Sequence, residues 1–219
     1  MKLVGLLPFV CVLSISSVGA CASEEAPKSG SQVSSVGTVS AAIGVTEKKL
    51  TGFYHFKQME MPDRSFHTDC KIFFSGDISA GKAIAVRAIA ANSKAMKPVS
   101  GTLTFNGYIK PAKHLPAEQS FTLVLAEHIP NCTENIGVPD FGFELNKLDN
   151  WKLVSGVGSK RAHFHSNPQS KDRKKSFLVA GDPIYIYEEK PEWYFVKYRD
   201  GKRETTGWIK KSDTIQMLK

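Results

Sequence analysis

Hydrophobic residues in this chain fall in short runs and at alternate positions, punctuated by Gly, Asp, Asn and Pro. Phe53-Tyr54-His55-Phe56 and Ile72-Phe73-Phe74 are aromatic and β-branched stretches of strand type. Ser75-Gly76-Asp77 and Ser79-Ala80-Gly81 are turn signals. The alanines of Ala83 to Ala91 suit a helix. However, Ile84, Val86 and Ala88 alternate with Ala85 and Arg87, and Gly81 and Asn92 bound the segment, which predicts a strand. Thr102 to Ile109 alternates around Leu103 and Phe105 and carries an Asn106-Gly107 turn or bulge, and Phe121 to Leu125 is a further strand. Beyond Gly181-Asp182-Pro183, Ile184 and Ile186 share one strand face and Tyr185 and Tyr187 the other. Tyr194, Val196 and Tyr198 then alternate against Trp193, Phe195 and Lys197. Asp200-Gly201 is a hairpin signal, and Gly207 and Ile209 bracket Trp208.

Residues 22–47 differ: they are Ser-, Gly-, Ala- and Val-rich with no sustained period. They read as a flexible tether of roughly 26 residues, reaching on the order of 30 Å as a coil. Ahead of them, Lys2 opens a small apolar stretch, Leu3 to Val18, interrupted by Pro8. This is the pattern of an export signal, too short for a membrane span of about 20 apolar residues. Trp151, Leu153 and Val154 read as the first strand of a C-terminal unit. The expected division is a signal over 1–20, a tether over 21–47, a β-rich domain over 48–150 and a second domain over 151–219. Successive strands with short polar turns make the first domain a β-sandwich or small barrel.

Composition supports a folded chain of one or two domains: 219 residues, 42% hydrophobic and 23% charged. The formal net charge is +8, unevenly placed. Residues 151–219 hold 15 Lys/Arg against 8 Asp/Glu, whereas residues 22–150 hold 13 of each. A basic C-terminal third favours anionic polymers or membrane surfaces, or serves solubility alone.

The cysteines sort by position. Cys11 lies in the signal. Val18-Gly19-Ala20-Cys21 resembles the lipobox of bacterial lipoproteins, and Ala20-Cys21-Ala22 also fits the small-x-small site of ordinary secretion. The lipobox resemblance implies lipidation at Cys21 and attachment to a membrane. Ala22 in place of Asp implies outer-membrane sorting in a Gram-negative host. The alternative is a soluble periplasmic or secreted protein. Cys70 and Cys132 remain, an even pair in an exported chain with one intramolecular connectivity. The loop they close, about 60 residues, is worth on the order of 4 kcal/mol.

The C-terminal order of elements resembles the bacterial SH3-like domain. Members open with an Asn-Val-Arg-Ser-Gly-Pro type stretch, and here the matching place is His163-Phe164-His165-Ser166-Asn167-Pro168. Phe164, Ser166 and Pro168 match, His165 replaces Arg, and Asn167 replaces Gly. The resemblance implies a small β-barrel with Val196 and Ile209 facing its core. It implies a ligand groove among Phe164, Tyr187, Trp193, Tyr194 and Trp208. The expected fold is therefore mainly β, an N-terminal sandwich or small barrel followed by an SH3-like barrel. Aromatic grooves hold extended peptides at low entropy cost, and nearby Lys and Arg attract carboxylates.

Catalytic signatures are not found. There is no Gly-x-Ser-x-Gly elbow, phosphate-binding glycine loop, dinucleotide fingerprint or His-Glu-x-x-His motif. His163 and His165 place two imidazoles on one strand face, either the beginning of a metal site or a solvent-facing strand, with no further ligand at suitable spacing. No cofactor is expected. Export argues against nucleic acid as the physiological partner. The expectation is a non-catalytic envelope lipoprotein that binds cell-wall peptide (peptidoglycan) or an envelope protein. The alternative is a periplasmic inhibitor or immunity-type protein that binds a secreted hydrolase.

Overall fold

The computed structural model describes residues 26–33, 39–57, 69–78, 81–91, 97–109, 118–129, 132–133, 140–169, 173–200 and 203–216. The signal over 1–20 and Cys21 lie outside them. The described residues form fifteen strands and one short 3-10 turn, with no α-helix among them.

The first nine strands build one antiparallel sheet. They are β1 (Gly30–Val33), β2 (Val39–Val45), β3 (Lys49–Lys57), β4 (Asp69–Asp77), β5 (Ala83–Ala90), β6 (Val99–Ile109), β7 (Glu118–Leu125), β8 (Asp140–Leu145) and β9 (Lys147–Leu148). Each strand from β1 to β7 pairs with the next in sequence. The chain then runs from β8 into β9, which pairs with β1 through Gly30↔Leu148 and Ser31↔Lys147. The sheet thus curls until its two ends meet, a nearly closed barrel rather than a sandwich. Alternation decides what fills it. Leu50 and Tyr54, Cys70, Ile72 and Phe74, Ile84 and Val86, and Phe121 and Leu123 point into one buried cluster. Its aromatic rings pack directly, Phe121 on Phe143 at 5.5 Å and Tyr54 on Phe141 at 5.1 Å between centroids. At that width the inward side chains themselves fill a barrel.

Two devices complete the closure. Gln119 is fully buried, and its amide brackets the backbone of Lys28. It accepts from the Lys28 N–H at 2.6 Å and donates to the Lys28 carbonyl at 3.0 Å, so a side chain replaces a strand where pairing ends. Cys70 in β4 is joined to Cys132, with Cα atoms 5.1 Å apart. Cys132 and Ile129 bring the segment after β7 into the barrel core. The Asn106-Gly107 signal is a bulge within β6: the register slips between Phe105 and Gly107, whose φ of 109° suits glycine.

The tether expected over 21–47 is corrected from Gly30 onward. Residues 30–33 and 39–45 are strands β1 and β2, inside the sheet, ahead of the boundary expected at 48. Their small side chains reflect packing rather than flexibility. A Cβ on Gly44 would stand 2.5 Å from the Cα of Leu153, so only glycine lets the second sheet approach so closely.

That second sheet holds β10 (Leu153–Gly156), β11 (Arg161–His165), β12 (Arg173–Val179), β13 (Pro183–Lys190), β14 (Trp193–Asp200) and β15 (Arg203–Lys210), in the order β10-β13-β14-β15-β11-β12. Its core is mostly aliphatic: Leu153, Val157, Ala162, Leu178, Ile184, Ile186, Val196 and Ile209, with Phe164. A third buried cluster joins the two sheets, in which Ala42, Phe53, Phe73 and Ile89 meet Trp151, Val154 and Ile215. The Trp151 indole donates to the Ile43 carbonyl at 2.7 Å, and the Val154 N–H donates to the Thr51 hydroxyl at 2.7 Å.

Candidate functional site

Because β11 alternates, Ala162 and Phe164 enter the core while Arg161, His163 and His165 face outward together. Pairing adds their neighbours: His163 stands opposite Phe177 and Arg161 opposite Val179 on β12, and His165 stands between Arg173 of β12 and Trp208 of β15. On β14 and β15, Phe195 faces Trp208 and Trp193 faces Lys210. The outer face of this sheet is therefore crossed by rings. His165 meets Trp193 edge-on at 4.9 Å, His163 lies 5.6 Å from Phe177, and Phe195 lies 5.4 Å from Trp208.

An open groove of about 650 Å³ lies on this face. Arg161, His163, His165, Arg173, Trp193 and Lys210 line most of it, with Gln169 and Asp213 adding polar groups. Three cations against one carboxylate give it a positive field. Cations also sit over the rings, with Arg161 4.8 Å from the Phe177 centroid, Lys190 4.7 Å from Trp208 and Lys210 5.8 Å from Trp193. This is binding chemistry: a flat apolar floor with donors for anionic oxygens. Among the described residues, no group of three or more His, Cys, Asp or Glu gathers as a metal site.

The five aromatics expected to share a groove do not converge. Trp193 lines the groove. Phe164 is corrected to a core residue, 1% exposed on the inner face of β11. Trp208 lies beside the groove on the outer face but is 8% exposed beneath Lys190. Tyr194 alternates to the other face, packs on the aliphatic core and lines a seam cleft of about 40 Å³ with Thr51 and Ile215. Tyr187 packs against the cluster that joins the sheets and donates to Asp149 at 3.3 Å. Burial, then the Asp149 charge, push its phenol up to about 12. Val196 and Ile209 are fully buried in the core of this sheet.

The residues missed were Arg161, Arg173, Lys210, Gln169 and Asp213. Arg161 was within reach of pattern reasoning, since Arg161, His163 and His165 occupy alternate positions. Arg173 and Lys210 join only through strand pairing. No family model matches this chain, and no curated protein or solved structure matches it.

Proposed function

We propose that this chain is a non-catalytic protein of the bacterial envelope whose C-terminal sheet is an SH3-like module that binds cell-wall peptide or an envelope protein. The observation that carries the reading is the cationic groove floored by Trp193 on the outer face of that sheet. The order of strands supports it: a hairpin of β14 and β15, Gly207-Trp208-Ile209 on β15, then a 3-10 turn over Lys211–Asp213. Separate buried clusters in the two sheets, joined by a smaller third one, support a two-domain division.

Lipidation at Cys21 completes the proposal. Nine residue steps separate Cys21 from Gly30, at most about 32 Å of chain, so the barrel would ride close to the membrane. Pull-down on purified peptidoglycan, with Trp193→Ala as comparison, tests the binding role. Retention of the wild type and loss of the variant is expected, and no retention of either would sink the wall-binding reading. Co-purification of one stoichiometric hydrolase from envelope extracts would favour the inhibitor alternative. Intact mass of the membrane fraction tests the anchor: a chain beginning at Cys21 with a diacylglyceryl adduct is expected, and an unlipidated mature chain would remove it.

A further inference from the structure

The charges of the C-terminal sheet fall into two groups. Around β14 they are paired. Lys197 and Arg199 share Glu204 at 3.5 and 3.1 Å, Arg199 reaches Asp149 at 3.5 Å, and Lys211 reaches Glu189 at 2.5 Å. The hydrogen bond from Arg199 holds Glu204 below the usual carboxylate range. Around the groove the pattern reverses: among the described residues no carboxylate stands within ion-pair distance of Arg161, Arg173 or Lys210. Arg161 and Lys210 lie over rings instead, which engages their charge but leaves N–H donors for an oxygen ligand. Gathered cations repel one another, and an anion relieves that repulsion.

Two further features select among anions. His163 lines the groove, and its Nδ1 atom is shielded from solvent with no hydrogen-bond partner, so the imidazole carries an unsatisfied polar group at the groove. Next to it, β12 is the outermost strand of its sheet, so its outer edge has no strand partner among the described residues. A peptide backbone can add to such an edge, whereas a glycan or polyphosphate cannot. Phe177 and Val179 stand on β12 at alternate positions, 40% and 46% exposed, as platforms for a neighbour's side chains. We propose that the groove and the free edge of β12 seat an extended acidic peptide, its carboxylates on Arg161, Arg173 and Lys210 and its backbone along β12. This deepens the binding-module reading and rests on it.

The test is isothermal titration of the mature protein with the peptide Ala-Glu-Ala-Glu-Ala, its carboxyl-amidated form and tripolyphosphate. Binding of the acidic peptide is expected, weakening with salt, with a loss of about tenfold on amidation. Arg161→Gln and Arg173→Gln should each weaken it about fivefold. Lys97→Gln, which removes an equal charge on the barrel, should leave it unchanged. Thermal melting of each variant separates binding from folding. Equal binding of the amidated peptide, or tripolyphosphate binding as tightly as the peptide, would overturn the proposal. If the Arg161→Gln/Arg173→Gln variant kept full retention on peptidoglycan while Trp193→Ala lost it, this inference would fall and the wall-binding reading would stand.

Discussion

The two sheets use their aromatic residues in opposite ways. The barrel turns Tyr54, Phe74, Phe105, Phe121, Phe141 and Phe143 inward. The C-terminal sheet packs its core with Leu, Ile, Val and Ala and one phenylalanine, and keeps Trp193, Phe195, Trp208 and Phe177 on its outer face. Wide barrels need large rings to fill them, since apolar burial and close packing both favour volume. A smaller sheet closes over aliphatic side chains, so rings on its outer face are surplus to the core. Surplus rings beside cations without a carboxylate partner are what single out the second sheet as the candidate site.

Loss of the disulfide should have the largest effect. Replacing Cys70 and Cys132 together by Ala removes a link across 62 positions and should cost about 4 kcal/mol in chemical unfolding. The comparison would break if the C-terminal sheet lost its protection from hydrogen exchange as strongly as the barrel. Trp151→Ala should follow at about 3 kcal/mol, because a 2%-exposed indole and its bond to Ile43 are lost from the joint. A single unfolding transition resolving into two would show that this joint makes the sheets one cooperative unit. Inner and outer rings are separated by a third pair. Phe164→Ala should cost about 3 kcal/mol of stability, and Trp193→Ala under about 1 kcal/mol while abolishing retention on peptidoglycan. The reverse ranking would return Phe164 to the groove.

The smallest effect is set by pH. The Tyr187 phenol is raised in the fold, to about 12, from an ordinary value of 10.0. The unfolded chain therefore loses its proton first as pH rises. The stability this group contributes is whole below about pH 10 and is lost through about pH 12. Midpoints of denaturant unfolding should fall across that window, and Tyr187→Phe should make the fall shallower. An unchanged slope in the variant would place the loss elsewhere, for example at Tyr54 in the barrel, which burial also raises.

Runs of strand-type residues identified β3, β4 and β7, and alternation identified β5, β6, β13, β14 and β15, because a strand with one buried face must repeat every second residue. The Asn106-Gly107 pair anticipated a turn or bulge there, and the count of cysteines left in an exported chain allowed one pairing for Cys70 and Cys132. Local pattern did not reveal β1 and β2. Ala42 and Gly44 are small because the second sheet rests on them, while Ala41 and Ile43 between them face the barrel core, and a strand of mostly small residues carries little hydrophobic contrast. Nor did it resolve the closure at Gln119, whose partner Lys28 is remote in sequence.

The site divides the same way. Local pattern set Trp193 on the face opposite Tyr194 and Val196 and put His163 and His165 on a shared one, and the SH3-like resemblance assigned Trp193 to a groove. That Arg173 and Lys210 join them, that Phe164 turns inward and that Tyr187 faces the joint were decided by strand pairing and by the docking of the sheets. The sequence by itself determined which residues could share a strand face, because that depends on the backbone period alone. Only the tertiary structure decided which face meets solvent, which meets a core and which cations go unpaired, because those depend on residues distant along the chain.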